Sequence, residues 1–294
     1  MDRRTFLKSA VVAAGVLGGG SVLAACAGGG GGDAPPSGDP TLSVITGSYE
    51  ILRGSERTLA FGIRTADNTP LENEEVTAWL RDADGETILD GPLEATYTED
   101  AGAGLGVYLV TVDLSEENVP PDIRPYLVAA RDGEWGEAAL NVVSPEDSQL
   151  PVPGDEAEAV QTPTTDDPLD YGEICTQDPP CGMHEISLDA ALAEGRPVVL
   201  LFATPAYCQT AVCGPAVGTV DEVRQSRDWG DTAFVHVEIF KDEGETVGDP
   251  VLEWELPTEP WLFTIDADGV IVDRLDGPMV SSVVSGMVER IASA

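Results

Sequence analysis

Lysine is almost missing from this chain. Among its 294 residues only Lys8 and Lys241 are lysines, and 15 Lys and Arg face 53 Asp and Glu, for a formal net charge of −38. Such a surface repels phosphate backbones and anionic headgroups, which excludes nucleic acid as a direct partner and charge as a means of holding a membrane. Histidine is equally scarce, with two residues. The two His and the cysteines do not show the spacing of a tetrahedral zinc finger, so no zinc is expected. Also absent are the Gly-x-x-x-x-Gly-Lys phosphate loop, the dinucleotide fingerprint and the Gly-x-Ser-x-Gly elbow. The Asp-rich stretches at 82–85 and 266–269 lack the full ligand set of a calcium loop and read as hairpin turns. The chain is 42% hydrophobic, enough for a buried core.

The N-terminus is an address. A twin Arg at positions 3 and 4 precedes an uncharged run from Ala10 to Ala25, rich in Ala, Gly and Val. That run is too short and too Gly-rich for a spanning helix, which needs about 20 apolar residues. It resembles a Tat-type export signal. The run closes on Leu23-Ala24-Ala25-Cys26, which resembles the lipobox of bacterial lipoproteins. The resemblance implies cleavage before Cys26, lipidation of Cys26, and anchoring at the extracytoplasmic face of the cell membrane. Residues 27–40 would be a flexible tether. Exported thiols meet an oxidising compartment, where disulfides persist.

Residues 41–144 read as strands. The segments 42–45, 58–63, 76–80, 107–112, 126–129 and 138–143 are short and apolar or alternating, and Asp/Asn/Gly/Pro turns separate them. Six or seven strands without a helical period predict an all-β sandwich, which resembles immunoglobulin-like and fibronectin-like modules. Residues 145–170 hold five prolines among acids and threonines and read as a semi-stiff linker.

Residues 171–294 predict an α/β unit. Ser187 is a cap for a short helix that Gly195 stops. Pro197 to Ala203 is a continuous apolar run, expected of a strand buried on both faces. A helix is predicted over about 210–227, a strand over 233–239, a helical turn near 251–256, a hairpin through Asp266-Ala-Asp-Gly269, and a last helix over 280–291.

Here the residues resemble the thioredoxin-like superfamily. A strand running into Thr204-Pro-Ala-Tyr-Cys208, a helix carrying Pro215, and Leu256-Pro-Thr-Glu-Pro260 before a hairpin carry the likeness. It implies thiol–disulfide chemistry, with Pro260 cis and facing the active cysteine. It also implies that Cys208 opens the helix as the attacking thiol, that Cys213 resolves, and that Pro215 kinks the helix. Two features depart from the family. Four residues separate Cys208 from Cys213, instead of two, so the pair can bond only if Cys208 lies in the loop or the first turn is distorted. Glu259 precedes Pro260, and a carboxylate beside a thiol disfavours the thiolate. A second alignment makes Cys213 the lone nucleophile of Cys213-Gly-Pro-Ala216.

Setting Cys26 aside, four cysteines allow three pairings. Cys175–Cys181 as a structural disulfide beside Cys208–Cys213 is favoured over crossed pairs. The expected activity is a membrane-anchored thiol–disulfide oxidoreductase, without cofactor, acting on protein thiols or disulfides as a monomer. Two alternatives stand beside it. One is a copper carrier similar to the Sco family, using Met183, His184 and the cysteines. The other is a disulfide-stapled scaffold.

Overall fold

The structure is a computed structural model that describes residues 34–102, 104, 106–208 and 212–292. The expected export signal and Cys26 lie outside the described residues. Among those described, no helix is long and apolar enough to cross a membrane.

The first unit contains β1 (Ser43–Thr46), β2 (Ile51–Leu52), β3 (Arg57–Arg64), β4 (Val76–Asp82), β5 (Ile88–Thr98), β6 (Val107–Val112), β7 (Pro125–Arg131), β8 (Glu134–Ala139) and β9 (Val142–Val143). The order β1-β3-β6-β5-β4-β7-β8 folds into two antiparallel layers around Phe61, Ile63, Leu80, Tyr108, Val110, Leu114 and Leu127. The predicted β-sandwich is present, with two strands that the pattern missed, the two-residue β2 and the long β5. β5 carries Asp90-Gly91-Pro92 and few buried residues, so no apolar alternation marks it. It pairs with β4 through Ile88–Ala95 and with β6 through Thr96–Thr98, passing from one layer to the other. Gly91 makes this passage possible: its φ is +114°, and a Cβ there would lie 2.7 Å from the Trp79 ring.

The second unit contains α1 (Leu188–Ala193), β10 (Val198–Phe202), α2 (Cys213–Ser226), β11 (Ala233–Val237), α3 (Asp249–Glu253), β12 (Trp261–Ile265), β13 (Ile271–Asp276) and α4 (Ser281–Ala292). The sheet order is β11-β10-β12-β13, with β10 parallel to β11 and the other pairs antiparallel. All five residues of β10 are buried, as the unbroken apolar run requires. Val198, Leu200 and Phe202 face one core with Leu188, Trp254 and Phe263. Val199 and Leu201 face the other, with Val217 and Val220 of α2 and Val284 and Val288 of α4. Each such aliphatic side chain contributes about 1.5–3 kcal/mol by leaving water, so this strand is the anchor on which the following loop is held.

Three local expectations change. Ser187 precedes α1 but its hydroxyl does not cap it; the Leu188 amide donates to Thr162 Oγ1 at 3.0 Å, and Ser187 Oγ accepts from the Thr162 amide at 2.8 Å. The helix after β10 opens at Cys213, so Cys208 sits in the loop before it. Pro215 therefore falls in the first turn, where a missing N–H costs nothing, and is not a mid-helix kink.

Residues 145–170 are less of a spacer than their composition suggests. Leu150 and Val160 enter the core of the second unit. The Gly154 amide donates to the Ile271 carbonyl at 2.8 Å, Ile271 returns a bond to Asp155 at 2.9 Å, and Ala157 donates to Gly269 at 2.9 Å. This short stretch lies along the start of β13, and two isolated apolar residues between prolines are what hold it there.

The two units touch directly. Arg274, 3% exposed in its side chain, pairs with Glu50, 9% exposed, and also donates to the Pro151 carbonyl at 3.0 Å. The Tyr49 amide donates to Asp276 Oδ2, and the Tyr49 ring meets the edge of Trp261. Ala101 and Val107 of the sandwich bury against Val280.

Candidate functional site: two sulfur clusters at the end of the central strand

The loop after β10 brings Cys208, Cys213 and Glu259 together, with their donor atoms all within 4.8 Å of one another. Cys208 is partly accessible and Cys213 fully buried. Glu259 arrives from the segment before β12, across a cis peptide bond to Pro260. The pairing of β12 with β10, which sets Trp261 opposite Phe202, fixes this approach.

Burial pushes the Cys213 thiol well above the usual thiol range, and its hydrogen bond to Cys208 adds to this. A helix N-terminus would favour the thiolate, but for Cys213 desolvation wins. Cys213 is thus the proton donor of the pair and Cys208 the acceptor. The alignment with Cys213 as lone nucleophile fails on the same ground: that sulfur is out of reach of solvent.

Burial, and then the negative charge on Cys208, raise Glu259 from 4.5 to about 9. The sequence expectation was a carboxylate repelling the thiolate. The structure corrects it, because at neutral pH this carboxyl is protonated and carries no charge. Its Oε2 is buried with no hydrogen-bond partner among the described residues, so one oxygen remains to exchange a proton.

A second sulfur cluster lies alongside. Cys175, Cys181, His184 and His236 also place one donor atom each within 4.8 Å of the others. None of the four described cysteines is joined in a disulfide here, and the Cys175 and Cys181 sulfurs lie 3.6 Å apart. The hydrogen bond that the two sulfurs share pulls Cys175 below the thiol range and pushes Cys181 above it. Burial lowers His236, but its bond to Cys175 and the charge of Glu238 outweigh that and leave it raised. The two clusters share a wall: His236 Nε2 is 3.1 Å from the Ala203 carbonyl, and Thr176 Oγ1 accepts from the Ala206 amide at 3.0 Å while donating to Glu238 at 2.9 Å.

Sequence spacing does not reveal the role of His236. It sits in the middle of β11 and meets the cysteines only because the 175–184 segment folds over that edge strand. The one available signal is a His in an otherwise apolar strand, with a Glu just past its end.

No family model matches the chain, and no curated protein matches it. Among solved structures, a thioredoxin-family thiol:disulfide interchange protein from Chlorobium tepidum TLS is similar at 14% identity and a TM-score of 0.31, over 46% of this chain and 99% of that one. A thioredoxin-like superfamily protein is similar at 10% identity and a TM-score of 0.32, over 49% and 97%. The Lin-41 filamin domain is similar at 16% identity and a TM-score of 0.22, over 37% and 98%. The second unit is thioredoxin-like in fold. Its own strand order, one parallel and two antiparallel pairings with helices on both faces, carries that statement.

Proposed function

We propose that the chain is an extracytoplasmic thiol–disulfide oxidoreductase, exported by the Tat route and tethered by lipid at Cys26, that acts on protein thiols and disulfides through Cys208 and Cys213. The observation that carries this reading is the asymmetric pair itself. A partly accessible sulfur accepts a hydrogen bond from a buried thiol, and a neutral carboxyl lies within reach of both.

The steps balance as follows. Cys208 thiolate attacks a substrate disulfide, forms a mixed disulfide and expels one substrate thiolate. Loss of the negative charge on Cys208 removes a main cause of the raised Glu259 pKa, so Glu259 gives its proton to the departing sulfur. Its carboxylate then accepts the proton of Cys213, and the Cys213 thiolate attacks Cys208, releasing the second substrate sulfur. The substrate disulfide gains two electrons, and the Cys208–Cys213 pair loses two. A copper-carrier role at this pair has less support, because the third donor is a hard carboxyl oxygen with no imidazole beside it.

Reduction of insulin disulfides by the full chain, with dithiothreitol as electron source, tests the reading. Activity should vanish in Cys208→Ser, and iodoacetamide should alkylate Cys208 ahead of Cys213 in the folded protein. Wild-type rates in Cys208→Ser would sink it.

A further inference from the structure

We propose that Cys175, Cys181, His184 and His236 form a tetrahedral zinc site that clamps the 175–184 segment onto β11. This site is separate from the Cys208–Cys213 pair and stands whether or not that pair is catalytic.

The geometry argues for it. Zinc binds thiolate sulfur at about 2.3 Å and imidazole nitrogen at about 2.0–2.1 Å, so a tetrahedral centre has S–S edges of about 3.8 Å and S–N edges of about 3.6 Å. Here the Cys175 and Cys181 sulfurs are 3.6 Å apart. Cys181 Sγ lies 3.4 Å from both His184 Nε2 and His236 Nδ1, and Cys175 Sγ lies 3.9 Å from His236 Nδ1. The four donors therefore already stand near the corners of a zinc tetrahedron, although they come from two separate places in the chain, the 175–184 segment and β11.

The surroundings of His236 fit as well. His236 presents its Nε2–H to the Ala203 carbonyl, which turns the Nδ1 lone pair toward the sulfurs. A ligating His usually donates its other N–H to such an outer partner. The His236 amide also donates to the Met183 carbonyl at 2.8 Å, which ties the ligand-bearing segment to the strand. Cys175, His184 and His236 are 6%, 4% and 0% exposed, so water competes little. Two thiolates and two neutral imidazoles around Zn²⁺ make a centre of zero net charge, which a buried site can hold cheaply. Both sulfurs bind as thiolates and both imidazoles in neutral form, so the protons held on the donor atoms of Cys181 and His236 are released, with no change of oxidation state. Four protein donors close the coordination shell, so the role is structural. A bound ion would also keep Cys175 and Cys181 out of disulfide exchange.

The test is zinc and cobalt titration of the full chain, purified with reductant. One Zn²⁺ per chain is expected, and Co²⁺ should give the visible bands of a tetrahedral thiolate site. Binding should be lost in a Cys175→Ser/Cys181→Ser double variant and kept in Cys208→Ser/Cys213→Ser. His184→Ala, a change in a loop, should weaken it roughly tenfold or more. X-ray absorption of the zinc-loaded wild type, which needs no variant to fold, should show two sulfur and two nitrogen neighbours. The proposal is overturned by no uptake in the reduced chain, by binding that follows Cys208 and Cys213, by an oxygen-rich shell, or by a Cys175–Cys181 disulfide that survives the reductant.

Discussion

Replacing Glu259 by Gln removes one buried proton site while keeping the size of the side chain. In the folded chain Glu259 titrates at about 9 in place of 4.5. A carboxyl raised in this way holds its proton when folded and loses it when unfolded, between those two values. The folded state is therefore fully favoured below about pH 4.5 and loses stability as pH rises toward 9. The loss is about 1.4 kcal/mol per pH unit, or roughly 6 kcal/mol across the window. Glu259→Gln cancels this dependence. It also costs a constant amount for the lost contacts with Cys213 and Thr204, so the diagnostic is a slope and not an offset. The assay is urea unfolding of the reduced chain at several values between pH 5 and 9, followed by the fluorescence of Trp254 and Trp261, both buried in this unit. The variant should gain on the wild type by about one proton's worth per pH unit. Parallel stability curves would refute the reasoning, because Glu259 would then be charged in the folded state.

Other outcomes follow from the same physics. Burial raises Asp276 from 3.8 to about 7 beneath the Tyr49 and Glu50 amides; stability should fall as pH rises from about 4 to 7, and Asp276→Asn should flatten that interval in the same unfolding series. Arg274→Ala leaves Glu50 buried without its cation, so unfolding free energy should drop by about 3–5 kcal/mol, and differential proteolysis should show the two units loosened from each other.

The large features of the fold are legible where residue chemistry is local. The apolar run 197–203 announces a strand covered on both faces, and Asp266-Ala-Asp-Gly269 announces its hairpin, with Gly269 at a φ of +81°. β5 escapes notice because Asp90-Gly91-Pro92 breaks its pattern and few of its residues are buried. Apolar spacing alone puts the start of α2 too early, whereas Gly214 and Pro215 suit its first turn. The thiol pair is visible as two cysteines near a buried strand. The buried carboxyl beside it is not, since Glu259 reaches the sulfurs only through the pairing of β12 with β10. The zinc ligands are hidden for a like reason: three of them sit close together in a loop segment, but the fourth, His236, comes from β11.

The most direct test of the central claim is to trap the mixed disulfide. Cys213→Ser, exposed to a disulfide-bonded protein and analysed by peptide mass spectrometry, should accumulate one covalent adduct, on Cys208. An adduct on Cys175 or Cys181, or none at all in a chain shown to be folded, would contradict the account.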